Sequence, residues 1–352
     1  MEKLKLGVIF GGTSTEHDVS IVSGTSVIKN LNRNKYEIYP IYINKKGEWF
    51  KYRYSEQKLR VGDEIEAAER IENIWEYLKN LDVVFPVLHG LGGEDGSLQG
   101  MLELIKIPYV GSKILGSSLC MDKAYAKIIF EKAGMLQAEY VYIRKYNDDE
   151  YIYVEKDFTE EKYNIFEITQ KIIEKLEFPM FVKPSNSGSS VGINKANNIL
   201  ELREYIENAA LYDNKILIEE NIIGREVECA VLGNEDVEAS VLGEIIAADK
   251  FYSFDAKYHN EDSKTIMPAE IPEKLANKVR KLAKKVYKAT DCKGLARVDF
   301  FVDDLKEKIY INEINTLPGF TEISMYTKLW EKTGIPYDKL LDKLIDLALF
   351  RC

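Results

Sequence analysis

Arg297, Asp299, Glu313 and Asn315 are the residues whose types and spacing point first to chemistry. Arg297 and Asp299 lie two apart in LARVDFFV, and Glu313 and Asn315 two apart in KIYINEIN. A period of two puts each pair on one face of a strand. The polar segment Asp303-Asp304-Leu305-Lys306-Glu307 between the runs reads as a hairpin tip. The strands span Leu295–Val302 and Lys308–Asn315. Folding about residue 306 sets Phe301 against Ile311, Asp299 against Glu313 and Arg297 against Asn315. Directly opposed carboxylates repel. A hard divalent cation, held by Asp, Glu and Asn oxygens with water and phosphate, relieves that repulsion. The competing reading is a solvated hairpin with its charges in water. Two features argue against it. The strands are apolar on both faces away from the charged end, and the second runs into Thr316-Leu317-Pro318-Gly319-Phe320, a turn that can offer a backbone N–H to an anion. A one-residue slip would send one set to the other face.

Three loops carry groups suited to anions. Lys5–Phe10 is an apolar strand that enters Gly11-Gly12-Thr13-Ser14-Thr15-Glu16-His17-Asp18, and Val19–Leu31 then has helical periodicity. Strand, glycine-rich turn and helix start form an anion site. No Lys-Ser/Thr pair ends the loop, so it is not a Walker A motif. Asp82–Leu88 is a strand ending in His89-Gly90-Leu91-Gly92-Gly93-Glu94-Asp95-Gly96, where a dinucleotide GxGxxG fails at Asp95. Pro179–Pro184 opens Ser185-Asn186-Ser187-Gly188-Ser189-Ser190, with Val191–Ile193 returning as a strand. Amides and hydroxyls on such a tip, with Lys183 just before it, can close over a triphosphate. Without Lys183 a plain flexible hairpin is the better reading.

The remaining elements position these loops. Tyr36–Ile43, Ile216–Glu220 and Glu226–Leu232 read as strands; Ser97–Leu104, Lys123–Ala133 and Pro272–Thr290 read as helices, followed by C-terminal helices over Ser324–Leu349. Residues 145–165 are charged and Tyr-rich and read as a surface excursion. A long aperiodic stretch near 249–267 reads as a lid, with Lys257 and Tyr258 as its reactive candidates. At 352 residues the chain suggests two or three domains. A net charge of −10 argues against nucleic acid as a main partner. Cys120, Cys229, Cys292 and Cys352 are scattered without a CxxC pair, which argues against a disulfide framework and fits a reducing cytoplasm. No run reaches the ~20 apolar residues of a membrane span.

Taken together, the segments GGTSTEHDVS (11–20), LHGLGGEDGSLQG (88–100), MDK (121–123), FVKPSNSGSSVG (181–192), GREVECAVLG (224–233), AKY (256–258), ARVDFF (296–301) and NEINTLPGFTEISMY (312–326) resemble the ATP-grasp enzymes. More narrowly they resemble the D-alanine–D-alanine ligases, in the family's order and over nearly the whole chain. The resemblance implies an α/β (α+β) fold of three domains: an open parallel α/β domain at 1–121 and two nucleotide-clamping domains at 122–214 and 215–352. It implies ATP and two Mg²⁺, or Mn²⁺, as cofactors. It also implies a cytoplasmic homodimer that makes D-alanyl-D-alanine through an acyl phosphate for peptidoglycan. Asp299, Glu313 and Asn315 match the metal ligands. Lys123 and Lys183 match phosphate-contacting lysines, and Lys257 the lid lysine. Glu219 with Glu220 and Ile222 matches the adenine edge, and Glu226 the ribose position. Glu16 matches the partner of the first substrate's ammonium, tied to the lid through Ser189 and Tyr258. His89 matches a substrate-proximal histidine, Arg297 and the Gly319 N–H the oxyanion donors, and Ser324 the holder of the second carboxylate.

The segment after Gly319 reads Thr-Glu-Ile-Ser where some members have Thr-Ser-His-Ser. A second substrate of D-serine therefore stays open, since a small pocket rejects an added hydroxyl poorly. The Ala-Lys-Tyr of the lid disfavours D-lactate. A non-catalytic nucleotide-binding protein and a ligase of another carboxylate–amine pair are the remaining alternatives; filled metal and phosphate positions argue against the former.

Overall fold

The computed structural model describes residues 2–53, 61–63, 65, 69–189, 191–246 and 264–351. Lys257, Tyr258 and most of the expected lid lie outside them.

The first sheet is built on Leu4–Gly11 (β1), which pairs in parallel with Tyr36–Ile43 (β2) and Val83–Pro86 (β5). Two short strands, Trp49–Lys51 (β3) and Glu69–Arg70 (β4), extend it beyond β2. From Leu6 to Gly11, β1 is buried on both faces, as a central parallel strand requires. His17–Asn30 (α1) packs on it so closely that a Cβ on Gly24 would lie 2.5 Å from the Cβ of Phe10.

The second sheet has the order β10-β9-β11-β6-β7-β8. Its strands are Tyr140–Lys145 (β6), Glu150–Val154 (β7), Glu160–Asn164 (β8), Met180–Pro184 (β9), Asn194–Ala196 (β10) and Lys215–Glu220 (β11). Three expectations change here. Residues 145–165 are not a loose excursion. They carry β7 and β8, and Tyr151 and Tyr153 are buried in the core with Ile168 and Ile172. Neither strand alternates: β7 is buried from Tyr151 to Val154, while the exposed Glu160, Glu161 and Lys162 of β8 keep the edge strand soluble. The strand returning from the Ser/Gly loop is Asn194–Ala196, after Val191–Ile193. β11 pairs with β6 and β9, so this sheet extends past residue 214.

The third sheet has the order β14-β13-β12-β15-β16, with Arg225–Gly233 (β12), Glu238–Ile246 (β13), Lys264–Ile266 (β14), Gly294–Asp303 (β15) and Lys308–Asn315 (β16). The helix Glu273–Ala289 covers one face, burying Leu275, Ala276, Val279, Ala283, Val286 and Tyr287 at helical spacing. Each large apolar side chain so buried contributes about 1.5–3 kcal/mol. The register sets Asp299 against Glu313 and Arg297 against Asn315, as spacing predicts. Beyond Asp299 it shifts, so Phe300 faces Ile311 and Phe301 faces Tyr310 instead of Ile311. Asn312 is the extra residue of this β-bulge. The bulge lets Ile311 enter the core beside Phe300 while Glu313 keeps its place opposite Asp299.

Met325–Thr333 (α9) and Tyr337–Leu349 (α10) end the described chain. They share one core with β1, β5 and α1, so the two ends of the chain pack together. Cys120 and Cys292, distant in sequence, bring their sulfurs to 3.6 Å as buried thiols.

Candidate active site

A cavity of about 220 Å³ lies where the three sheets meet. Glu16, His89, Lys123, Ser189, Glu226, Arg297, Asp299, Glu313, Asn315, Gly319 and Ser324 all line it. Residues expected from separate motifs are thus brought to one place.

Its floor is the third sheet. β12, β15 and β16 set Glu228, Asp299 and Glu313 side by side in register. Arg297 chelates Asp299, with Nε donating to Oδ1 at 2.8 Å and Nη2 to Oδ2 at 2.7 Å. The same Nε lies 3.1 Å from Glu228 Oε2. Burial by itself would weaken the guanidinium's hold on its proton; Asp299 and Glu228 more than offset this and hold its pKa well above the ordinary value. Sequence reading missed Glu228, although its spacing from Glu226 along β12 puts both on one face.

Among the described residues no cluster of three or more His, Cys, Asp or Glu side chains is placed to hold a metal. Asp299, Glu313 and Asn315 offer oxygen donors only. The set suits Mg²⁺ or Mn²⁺ but is too small to complete the coordination of either, so phosphate oxygens and water must supply the rest.

One wall comes from the first sheet. Glu16 is the N-cap of α1, yet its side chain makes no capping bond. It accepts a hydrogen bond from Ser189 Oγ of the Ser/Gly loop instead. Helix-dipole stabilisation alone therefore does not account for it. A Cβ on Gly90, whose φ is +71°, would come within 2.7 Å of Glu16 Oε2, so glycine is required there.

His89 and Glu94 sit on the next loop, both buried. His89 Nδ1 is 3.0 Å from the Leu317 carbonyl and Nε2 is 3.1 Å from Ser23 Oγ. Burial lowers its pKa, favouring the neutral ring. Glu94 accepts from Gly90 N at 2.8 Å and from Leu317 N at 3.1 Å. Burial first, and then neighbouring Glu16, push its carboxyl up to about 8. Ser324 Oγ accepts from Thr321 N at 2.9 Å and lies 2.7 Å from Thr321 Oγ1.

The second sheet supplies the cations. Lys123 begins the helix Lys123–Lys132, and its Nζ donates to Ser187 O at 2.6 Å, tethering the Ser/Gly loop. Lys183 and Glu219 lie on neighbouring strands β9 and β11, outside the cavity lining. Lys183 is ion-paired with Glu219, and Lys127, unnoticed in the sequence, meets its other oxygen at 2.9 Å. Burial opposes ionisation of Glu219, but Lys127 and Lys183 outweigh it and bring the carboxyl down to about 2. Two lysines against one glutamate leave this cluster net positive. Glu220 is turned toward Glu139, whose N–H it accepts at 3.0 Å, and Ile222 is half-buried in the segment joining β11 to β12.

A cavity with opposed carboxylates, a chelated arginine, the Lys123 ammonium and a Ser/Gly loop can bring a polyphosphate and a carboxylate together. Comparisons with known proteins agree. Residues 5–112 match the family described as D-ala D-ala ligase N-terminus, and residues 129–346 match D-ala D-ala ligase C-terminus. A D-alanine–D-alanine ligase of Acetivibrio thermocellus is 48% identical, covering 99% of this chain and 97% of that protein. D-alanine–D-alanine ligase B of Clostridium tetani is 47% identical, covering 99% and 94%. Among solved structures, the VanG D-Ala:D-Ser ligase of Enterococcus faecalis has a TM-score of 0.80 at 35% identity, covering 99% of this chain and 100% of that one. The Bacillus anthracis D-alanine–D-alanine ligase complexed with ATP has a TM-score of 0.75 at 32% identity, covering 98% and 97%.

Proposed function

The chain belongs to the D-alanine–D-alanine ligase family, and from that premise we propose that it joins two D-alanine molecules at the expense of ATP, giving D-alanyl-D-alanine, ADP and phosphate for peptidoglycan synthesis. The observation that carries this reading is the convergence of Glu16, Lys123, Arg297, Asp299, Glu313 and Asn315 on one cavity.

Glu16, poised by Ser189, receives the ammonium of the first D-alanine and turns its carboxylate toward the nucleotide. Lys123 and the Ser/Gly loop hold the phosphates, with Lys183 adding positive charge from beside Glu219. Glu226 suits a ribose diol, and Glu219, Glu220 and Ile222 form the adenine side. Asp299, Glu313 and Asn315 would hold Mg²⁺ or Mn²⁺ together with phosphate oxygens. That metal supplies charge neutralisation between γ-phosphate and carboxylate. The carboxylate oxygen attacks the γ-phosphorus, the bond to ADP breaks, and an acyl phosphate results. The amine of the second D-alanine, its carboxylate held by Ser324, attacks the carbonyl carbon. Arg297 and the Gly319 N–H stabilise the resulting oxyanion, and phosphate leaves. Lys257 and Tyr258 would close the site as parts of a lid.

The deciding experiment measures ADP release with Mg²⁺ and D-alanine alone, then with D-serine or D-lactate added, and identifies the product by mass. D-Ala–D-Ala is the expected product. A mixed dipeptide or depsipeptide formed in preference would make this a variant ligase, and no D-alanine-dependent ADP would overturn the substrate assignment. A cytoplasmic homodimer follows the family resemblance; sedimentation as a monomer would refute the dimer. Among the described residues no helix is long and apolar enough to cross a membrane.

A further inference from the structure

The turn that presents Gly319 is held partly by near neighbours, Asn315 and Tyr337, and partly from the far end of the chain. The Leu317 peptide is gripped on both sides: its N–H is shared between Glu94 at 3.1 Å and Asn315 Oδ1 at 3.0 Å, and its carbonyl accepts from His89 at 3.0 Å. Two residues past the glycine's neighbour Pro318, Phe320 N–H donates to Ser23 Oγ at 3.3 Å. Ser23 Oγ in turn lies 3.1 Å from His89 Nε2.

The protons on His89 and Ser23 follow from the chemistry of their partners. A carbonyl only accepts, so Nδ1 of His89 carries the ring proton. Nε2 is then an acceptor and takes the Ser23 hydroxyl proton. The serine oxygen is left to accept from Phe320. Both ring nitrogens and the Ser23 hydroxyl are thereby engaged, and the ring is neutral. Ser23 is fully buried, and His89, Glu94, Leu317 and Phe320 are each less than a tenth exposed, so water does not compete.

We propose that Ser23, His89 and Glu94 form a positioning clamp that fixes the turn around Gly319, and so aims its N–H at the oxyanion formed when the second amine attacks. This rests on the ligase reading above. On this account His89 acts as a strut, with both nitrogens engaged inside the protein, and moves no substrate proton. The clamp bears on the ligation step specifically, because the oxyanion develops there and not during phosphoryl transfer. Loss of one oxyanion donor costs about 10²–10³-fold in rate, and misplacing it costs less.

The test compares wild type with Ser23→Ala in two readouts from one reaction. One is D-Ala–D-Ala formed; the other is positional isotope exchange in β,γ-bridge-labelled ATP, which reports reversible acyl phosphate formation. Ser23→Ala is expected to lower dipeptide kcat by about 10- to 100-fold with KM for ATP unchanged, and to raise exchange per dipeptide formed. Binding of a phosphinate dipeptide, a mimic of the tetrahedral species, should weaken similarly. Equal loss of exchange and ligation, or no loss of either, would overturn the clamp. Should Ser23→Ala fail to fold, Glu94→Gln serves: its one amide oxygen cannot accept from both Gly90 and Leu317, and the same shift in partition is expected. A wild type that makes no dipeptide would sink the ligase reading alone. The clamp would then stand or fall on amide hydrogen exchange of residues 317–320, which should quicken in the variant and would refute it if unchanged.

Discussion

Arg297 and Asp299, two residues apart on one strand, are locked in a two-point chelate at 2.8 and 2.7 Å. The arginine therefore meets the cavity with its plane already set, and the carboxylate keeps a lone pair on each oxygen for other partners. Pre-set geometry of this kind lets charge stabilisation act without reorganisation.

Arg297→Lys is expected to cut kcat by about 10²-fold, because an ammonium cannot replace a bidentate fork. Arg297→Ala should also lower stability by about 3–5 kcal/mol, since it removes the guanidinium that pairs with the buried Asp299 and Glu228 carboxylates. Steady-state kinetics and urea unfolding check the pair. A fully active lysine variant would show that the fork is dispensable.

Glu313→Gln should abolish turnover and leave the far-UV circular dichroism unchanged. The amide keeps the shape and loses the charge that opposes Asp299 across the hairpin. Titration with Mg²⁺ in the presence of ATP should show the affinity lost, whereas full activity would remove Glu313 from the metal site.

Ser189→Ala removes the hydroxyl that donates to Glu16. A rise of about 5- to 20-fold in KM for D-alanine is expected, the worth of one charge-assisted hydrogen bond. Tyr258→Phe, in the expected lid, should slow turnover. Unchanged constants in both variants would argue against any link from Glu16 to the lid.

Glu219 makes a prediction in pH. Its carboxyl is held at about 2 in the folded protein, below the ordinary ~4.3 of an unfolded chain. A depressed folded value contributes stability that is present in full above the unfolded value and is lost as pH falls through the folded one. The gap of roughly two units corresponds to about 3 kcal/mol. Denaturant unfolding of wild type should therefore weaken between about pH 4.5 and pH 2. Glu219→Gln should be less stable at neutral pH, because Lys127 and Lys183 lose their partner, and should show a shallower acid slope. Parallel slopes would contradict the assignment.

Spacing of two along β15 and β16 was enough to pair Asp299 with Glu313 and Arg297 with Asn315, since side-chain alternation is a local property of a strand. The glycine loops and the helix start at Glu16 were legible for the same reason. The strands β7 and β8 were not, because the first is buried and the second exposed along nearly its whole length, so neither shows a period of two.

What the sequence determined by itself was the local geometry of each motif and, through the order of eight motifs, the family. Tertiary structure alone decided the rest. The Asn312 bulge, the row from Glu228 to Glu313, Lys127 against Glu219, and Ser23 and His89 on the turn at 317–320 all depend on which strands and chain ends pack together. Ser23 and Phe320 are 297 positions apart. No period in a sequence spans such a gap; the burial of β1, β5, α9 and α10 in one core closes it.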